Sequence, residues 1–214
     1  KSVFANTILG NPKYKVTQGK IFFGGKEITK LLPEKRVKLG LALAWQAPPA
    51  IKGVKLSRLF EKISKEKIKD NPPTTSSHSS LRSEWAPEKL GVDSDLLDRE
   101  VNVDFSGGEK KISELLQILA LRPKLVIFDE IDSGLDLKRL EKVSKIIKKE
   151  LVAKGVSILL ITHSGAILRY LEPKMTNVMV DGRVICKEKD YRKVLKTIKK
   201  YGYEKCKKCK LLAG

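Results

Sequence analysis

The sequence predicts an α/β fold, with a parallel sheet carrying helices on both faces and a small helical subdomain beside it. Two observations carry this expectation. Leu125-Val126-Ile127-Phe128 and Val156-Ser157-Ile158-Leu159-Leu160-Ile161 are short, β-prone, largely apolar runs. Between them Leu137, Leu140, Val143, Ile146, Ile147 and Leu151 recur at the spacing of an amphipathic helix. Strand, helix, strand, with the strands apolar throughout, is the pattern of a parallel sheet buried on both sides.

The other elements follow along the chain. Val3, Phe4, Ile8 and Leu9 predict a short helix stopped by Gly10-Asn11-Pro12. Residues 19–28 read as a strand, a glycine turn at Gly24-Gly25 and a return strand. Leu39 to Trp45 is an apolar run, read as a buried strand that ends at Gln46 before Pro48-Pro49. Leu56, Leu59, Phe60 and Ile63 predict a helix over 55–70. Residues 70–84 are a Pro/Ser-rich loop containing His78, read as solvent-exposed, and helix formers return from Trp85 to Leu97. Gly107-Gly108 precedes a helix with Ile112, Leu115, Leu116 and Leu119 on one face, and Tyr191, Val194, Leu195, Ile198 and Tyr201 mark a last helix. The expected organisation is a core of 1–46 and 101–185, a helical subdomain of 47–100, and a basic C-terminal helix and tail of 186–214.

Composition narrows the function. Of 214 residues, 41% are hydrophobic and 32% charged, enough apolar material for a packed core and too much for a disordered basic tail. No stretch approaches the ~20 apolar residues of a membrane span, and no apolar leader is evident. Three cysteines do not make a disulfide scaffold, so a reducing, cytoplasmic setting is expected. The net charge of +19, from 44 Lys+Arg and 25 Asp+Glu, invites a nucleic-acid reading. Residues 183–214 alone hold 12 Lys+Arg against 3 Asp+Glu, however, away from the strand ends. The charge therefore reads as an unassigned basic surface, and a nucleic-acid partner is not expected.

Ligands of parallel α/β sheets bind beyond the carboxyl ends of the strands. Those ends hold Asp129-Glu130, Thr162-His163 and Gln46. Two adjacent carboxylates cannot point the same way off a strand. One can hold Mg²⁺, directly or through water, while the other addresses a water molecule, a division suited to phosphoanhydride hydrolysis. A solvated strand-to-loop junction and a structural histidine are the bland alternatives. Ser106-Gly107-Gly108-Glu109 opens a helix and makes a plausible phosphate cradle, though Ser-Gly-Gly is also an ordinary turn with an N-cap.

In order, these pieces resemble the ATPase domain of the ABC superfamily. Phe105-Ser106-Gly107-Gly108-Glu109-Lys110-Lys111 resembles the ABC signature, and Leu125 to Glu130 resembles Walker B with its catalytic Glu. Ser133-Gly134-Leu135-Asp136 matches the D-loop, Gln46 the Q-loop and His163 the switch histidine. The resemblance implies a P-loop NTPase fold with a RecA-like sheet, and ATP and Mg²⁺ as ligands. Ile131-Asp132 replaces the Pro-Thr usual in transporter ATPases. The stretch 129–136, Asn6 to Pro12, Gln46 to Val54 and Leu97-Asp98-Arg99 are similar to the SufC family, the ATPase subunits of SUF iron–sulfur cluster assembly.

Lys1-Ser2 sits where the last two residues of a Walker A motif, G-x-x-x-x-G-K-S, belong. The expectation is that the sequence is truncated within that motif, and that this chain, lacking the phosphate-cradling glycines, binds ATP weakly and is inactive. In an intact protein the resemblance implies ATP bound by Lys1, Ser2, Gln46 and Asp129 of one protomer and Ser106, Gly107, Gly108 and Glu109 of the other. Ser2, Gln46 and Asp129 would meet Mg²⁺, Glu130 would polarise the attacking water, His163 would contact the γ-phosphate, and Asp136 would communicate across the dimer. The partner implied is a SufB/SufD-type scaffold docked on 47–100, with ATP-dependent dimerisation of the ATPase and no membrane insertion of this chain. A transporter ATPase subunit, a DNA-repair ABC ATPase and a non-enzymatic ABC-like scaffold are the alternatives. Ile112 departs from the Arg usual in the signature helix, and Cys206 and Cys209, with Cys186 distant, read as incidental or redox-sensitive thiols.

Overall fold

The computed structural model describes residues 1–45, 48–70 and 93–208. They fall into two compact units, Ser2–Thr162 and, separately, His163–Gly214 with Lys1.

The first unit opens with helix α1, Ser2–Leu9. The hairpin of β1 (Phe22–Phe23) and β2 (Lys26–Glu27) turns over Gly24 and Gly25, both at positive φ. That is the combination a two-residue hairpin turn demands and that L side chains resist. Helix α2, Pro33–Leu39, starts on a proline and stops at Gly40, whose φ of +107 lets its amide bond back to Arg36 and Val37. Leu39 therefore belongs to a helix, and the buried strand β3 runs only from Leu41 to Ala44. The apolar run hides this boundary because Leu39 and Leu41 look alike to a hydropathy count.

Strands β3, β6 (Leu125–Asp129) and β7 (Ser157–Ile161) form the predicted parallel sheet, in the order β3-β6-β7. The register sets Leu43 beside Ile127 and Ile127 beside Leu159. Leu43, Ile127 and Ile161 pack with Ala5 and Leu9 of α1. Val126 and Phe128, alternate residues of β6, are also fully buried. Each such side chain contributes roughly 1.5–3 kcal/mol, which is why runs of four or five residues suffice. Helix α5 (Gly107–Ala120) packs against β3, and helix α6 (Leu137–Glu150) against α5.

A second cluster lies under β4 (Ile51–Lys55), α3 (Leu56–Asp70), α4 (Asp95–Asp98) and β5 (Glu100–Val101). Leu56, Leu96, Val101, Phe105 and Leu116 are its buried members, and Ile112 packs on it. Strands β4 and β5 pair antiparallel, an element that hydropathy did not reveal because β4 is largely exposed. The Pro/Ser loop and most of the stretch from Trp85 to Leu97 lie outside the described residues.

Arg36 is the most unusual buried group. At 2% exposure its guanidinium donates to the carbonyls of Thr7, Ile8, Thr29 and Leu31 at 2.7–2.9 Å. Two of these acceptors belong to the last turn of α1, where carbonyls lack helical partners and the helix dipole favours a cation.

In the second unit α7 (Leu168–Leu171) precedes a hairpin of β8 (Thr176–Val180) and β9 (Arg183–Glu188). Its turn is Asp181-Gly182, both at positive φ, a pairing the sequence displays though no periodicity marks the strands beside it. Helix α8, Tyr191–Lys208, seats Val194 and Ile198 on Val178 and breaks helical geometry at Gly202. No helix among the described residues is long and apolar enough to cross a membrane.

Candidate nucleotide site

The carboxyl end of β6 bears the two acids in different settings. Asp129 is 4% exposed, and its Oδ1 has no hydrogen-bond partner. Glu130 is half-buried and adopts φ +59, with its amide donating to Ile161 and its carbonyl accepting from Ser133. This left-handed turn, costly for a residue with a Cβ, swings the chain off the strand and separates the two carboxylates. A buried carboxylate oxygen without a donor is the kind of group a cation or its bound water satisfies, so Asp129 fits Mg²⁺. Asp132, also buried, accepts from the Thr162 hydroxyl at 2.7 Å and ties this turn to the end of β7.

Ser106 caps α5. Its hydroxyl accepts from the Glu109 amide at 3.3 Å, and its own amide donates to Glu109 Oε2 at 2.7 Å, a complete capping box. Glu109 thus works on the shape of the motif itself. Asp136 caps α6 through the Arg139 amide, and the Arg139 side chain runs back to Gly108, where an added Cβ would stand 2.9 Å from Arg139 Cδ. The glycine is what admits that side chain, so one arginine spans Asp136 and the signature turn.

Two further residues gather here that the motif reading passed over. Lys111 and Glu114, one turn apart on α5, are buried. Glu114 Oε1 accepts from the Trp45 amide, and Lys111 Nζ donates to the Trp45 carbonyl at 3.3 Å. Both backbone groups of the residue before Gln46 are therefore held by the signature helix. Charges in phase with an apolar helical stripe were the sequence signal. Burial pushes the Glu114 carboxyl up to about 7, opposed by the Trp45 amide and Lys111. Burial lowers Lys111, opposed first by Glu114 and then by Asp129, Asp132 and Glu130.

A carboxyl raised on folding holds its proton where the unfolded chain has released it, so folding stability falls as pH climbs from about 4.5 to about 7. The span corresponds to at most about 3 kcal/mol. Thermal melts across this range are expected to show that decline in the wild type and a flatter profile in Glu114→Gln, which still accepts from Trp45. Parallel profiles would refute it.

The remaining candidates are placed as follows. Ser2 is the exposed first residue of α1, and its carbonyl accepts from Asn6. In the second unit, Lys1 Nζ lies 3.2 Å from His163 Nδ1. Gln46, His78 and Cys209 lie outside the described residues. Cys186 is half-buried in β9. Among the described residues no group of three or more His, Cys, Asp and Glu converges as a ready-made metal cage.

Residues 30–169 match a family profile described as AAA domain, putative AbiEii toxin, Type IV TA system. A probable ABC transporter ATP-binding protein of Streptococcus pyogenes serotype M18 is 37% identical over 185 residues, which span 86% of this chain and 72% of that protein. The chain belongs to the ABC-type ATPase superfamily. Its fold is that of solved ATP-binding cassettes. A nucleotide-free cassette from an ABC transporter superposes with a TM-score of 0.73 at 21% identity, over 96% of this chain and 82% of that one. A dimeric cassette in a post-hydrolysis state, bound to ADP and Pi, gives 0.69 at 20% identity, over 88% and 79%. Within this ABC ATPase the departure at Ile112 has a physical account: the side chain packs on the Leu56–Phe105 cluster, so apolar contact anchors the signature helix where the superfamily pattern has an arginine.

Proposed function

We propose that this ABC ATPase is the ATP-binding and hydrolysing subunit of a SUF-type iron–sulfur cluster assembly complex, driving conformational change in a SufB/SufD-type scaffold. The observation that carries the reading is the turn after Walker B. Ile131, in place of the transporter proline, is fully buried, and Asp132, in place of threonine, is bonded to Thr162. The pair therefore builds the turn that sets Glu130, and the resemblance to SufC rests on residues with structural work to do.

In this mechanism Ser2, Gln46 and Asp129 would hold the metal, and Lys1 would meet the β- and γ-phosphates. When bound, Mg²⁺ neutralises charge on the phosphates. Glu130 orients and polarises the attacking water, and His163 meets the γ-phosphate. Ser106, Gly107 and Gly108 meet the nucleotide of a second protomer, so dimerisation gates hydrolysis and closure of the dimer is the output. The chain works in the cytoplasm as a subunit that does not itself enter a membrane.

A second reading, the ATP-binding subunit of an ABC transporter, is favoured by the name of the streptococcal relative. Affinity purification of the full-length protein from its native cells separates the two. The SUF reading expects a soluble SufB/SufD-type partner whose addition raises ATP turnover; recovery of membrane-spanning subunits instead would overturn it.

A further inference from the structure

The loop that leads into the signature helix is built around one arginine outside the motif. Asn102 and Asp104 both adopt positive φ, at +59 and +54, so the chain coils tightly before Phe105. Arg99 sits inside that coil. Its Nη1 lies 2.6 Å from Glu109 Oε1, its Nη2 donates to the Asp104 carbonyl at 2.9 Å, and its Cζ stands 4.4 Å from the Phe105 ring centroid. Phe105 is in turn buried among Leu56, Leu96, Val101 and Leu116. The guanidinium is therefore fixed in three directions, which a planar fork that also stacks can satisfy and an ammonium cannot.

The electrostatics give this arrangement a purpose. Glu109 closes the capping box, and that fixes the Ser106 turn, but it also puts a carboxylate in the first turn of a helix. The Ser106 bonds, and then Arg99, hold the Glu109 carboxyl below its usual range, so it is ionised at neutral pH. An unscreened carboxylate beside the Gly107 and Gly108 amides would repel any phosphate approaching the helix N-terminus.

We propose that Arg99 is a positioning residue of the signature motif, bracing Glu109 and cancelling its charge so that the Ser106–Gly108 turn presents its amides to an anion. The inference rests on the reading that this turn meets the nucleotide of a second protomer. It adds a residue outside the motif and a reason for it: a glutamate at position 109 needs a cation, and a neutral glutamine would not.

The test uses the full-length protein as wild type, Arg99→Gln, Glu109→Gln and the double variant. Amide exchange reads the brace without nucleotide. Arg99→Gln is expected to speed exchange at the Ser106 and Glu109 amides about tenfold, with β6 unchanged; unchanged exchange there overturns the brace. ATP-driven dimerisation, followed by sedimentation, reads the charge. Arg99→Gln is expected to weaken it about tenfold, and the double variant to recover most of the loss, because glutamine keeps the bond to the Ser106 amide without the charge. A double variant as weak as Arg99→Gln overturns the compensation, since mere structural damage would not be rescued by removing a second side chain. A wild type that ignores ATP overturns the two-protomer reading, and the exchange rates still decide the brace.

Discussion

Glu130→Gln is expected to lower ATP turnover of the full-length protein by about 10²–10⁴-fold while ATP binding is retained. Glutamine has the shape of glutamate and can occupy the same left-handed turn, bonded through its backbone to Ile161 and Ser133. It cannot accept a proton or polarise water as a carboxylate does. The loss should therefore fall on turnover and leave the nucleotide-bound dimer to accumulate, visible as an ATP-dependent shift to the dimer in sedimentation. Asp129→Asn makes the contrast. It removes charge from the buried carboxylate with the unpartnered oxygen, so its deficit should ease at higher Mg²⁺ concentration, whereas that of Glu130→Gln should not. A Glu130→Gln protein within tenfold of wild type would remove Glu130 from the role proposed for it.

Arg36→Met is expected to cost about 3–5 kcal/mol of folding stability. Methionine fills much of the volume but takes the guanidinium donor from four half-buried carbonyls, those of Thr7, Ile8, Thr29 and Leu31, of which Thr7 keeps the Gly10 amide. The damage concentrates where α1 ends, because Thr7 and Ile8 lie in its last turn and Gly10 approaches the guanidinium so closely that an added Cβ would stand 2.6 Å from Arg36 Nε. Arg36→Lys should recover part of the loss, since one ammonium keeps the charge but cannot reach all four acceptors. For a chain of this size the Arg36→Met loss is a fall of roughly 10 °C in melting temperature. A shift of less than about 2 °C would mean that the carbonyls find water or other donors, and that the clamp holds little.

The two predictions draw on different parts of what could be read in advance. Asp129 and Glu130 were legible because four core residues precede them and parallel sheets bind ligands at that end. Ser106 was legible as a cap, since a glycine pair and a helical pattern follow it, whereas Asp136 was read only as part of the D-loop and its capping of α6 came from the structure. Arg36 was not. One arginine among many basic residues carries no periodic mark of burial, and its four acceptors are backbone groups on segments with no shared pattern. Lys111 and Glu114 stood in phase with Leu115 and Leu119, but surface charges do so too, and only the approach of Trp45 tells the two cases apart. The β8–β9 hairpin announced its turn at Asp181-Gly182 while its strands, mixed in polarity and half-buried, gave no alternation strong enough to find.

Local chemistry thus determined the order of elements, the Ser106 cap, the strand ends and the superfamily, because periodicity, turn residues and motif spacing are properties of consecutive residues. Tertiary structure alone decided which charges are buried and what they hold: Arg36 on four carbonyls, Glu114 and Lys111 on the backbone of Trp45, and Asp132 on Thr162; it also set the partly exposed Arg99 on Glu109. The physical reason is that burying a polar group costs several kcal/mol unless a partner meets it, and those partners come from residues brought together only by the packed fold.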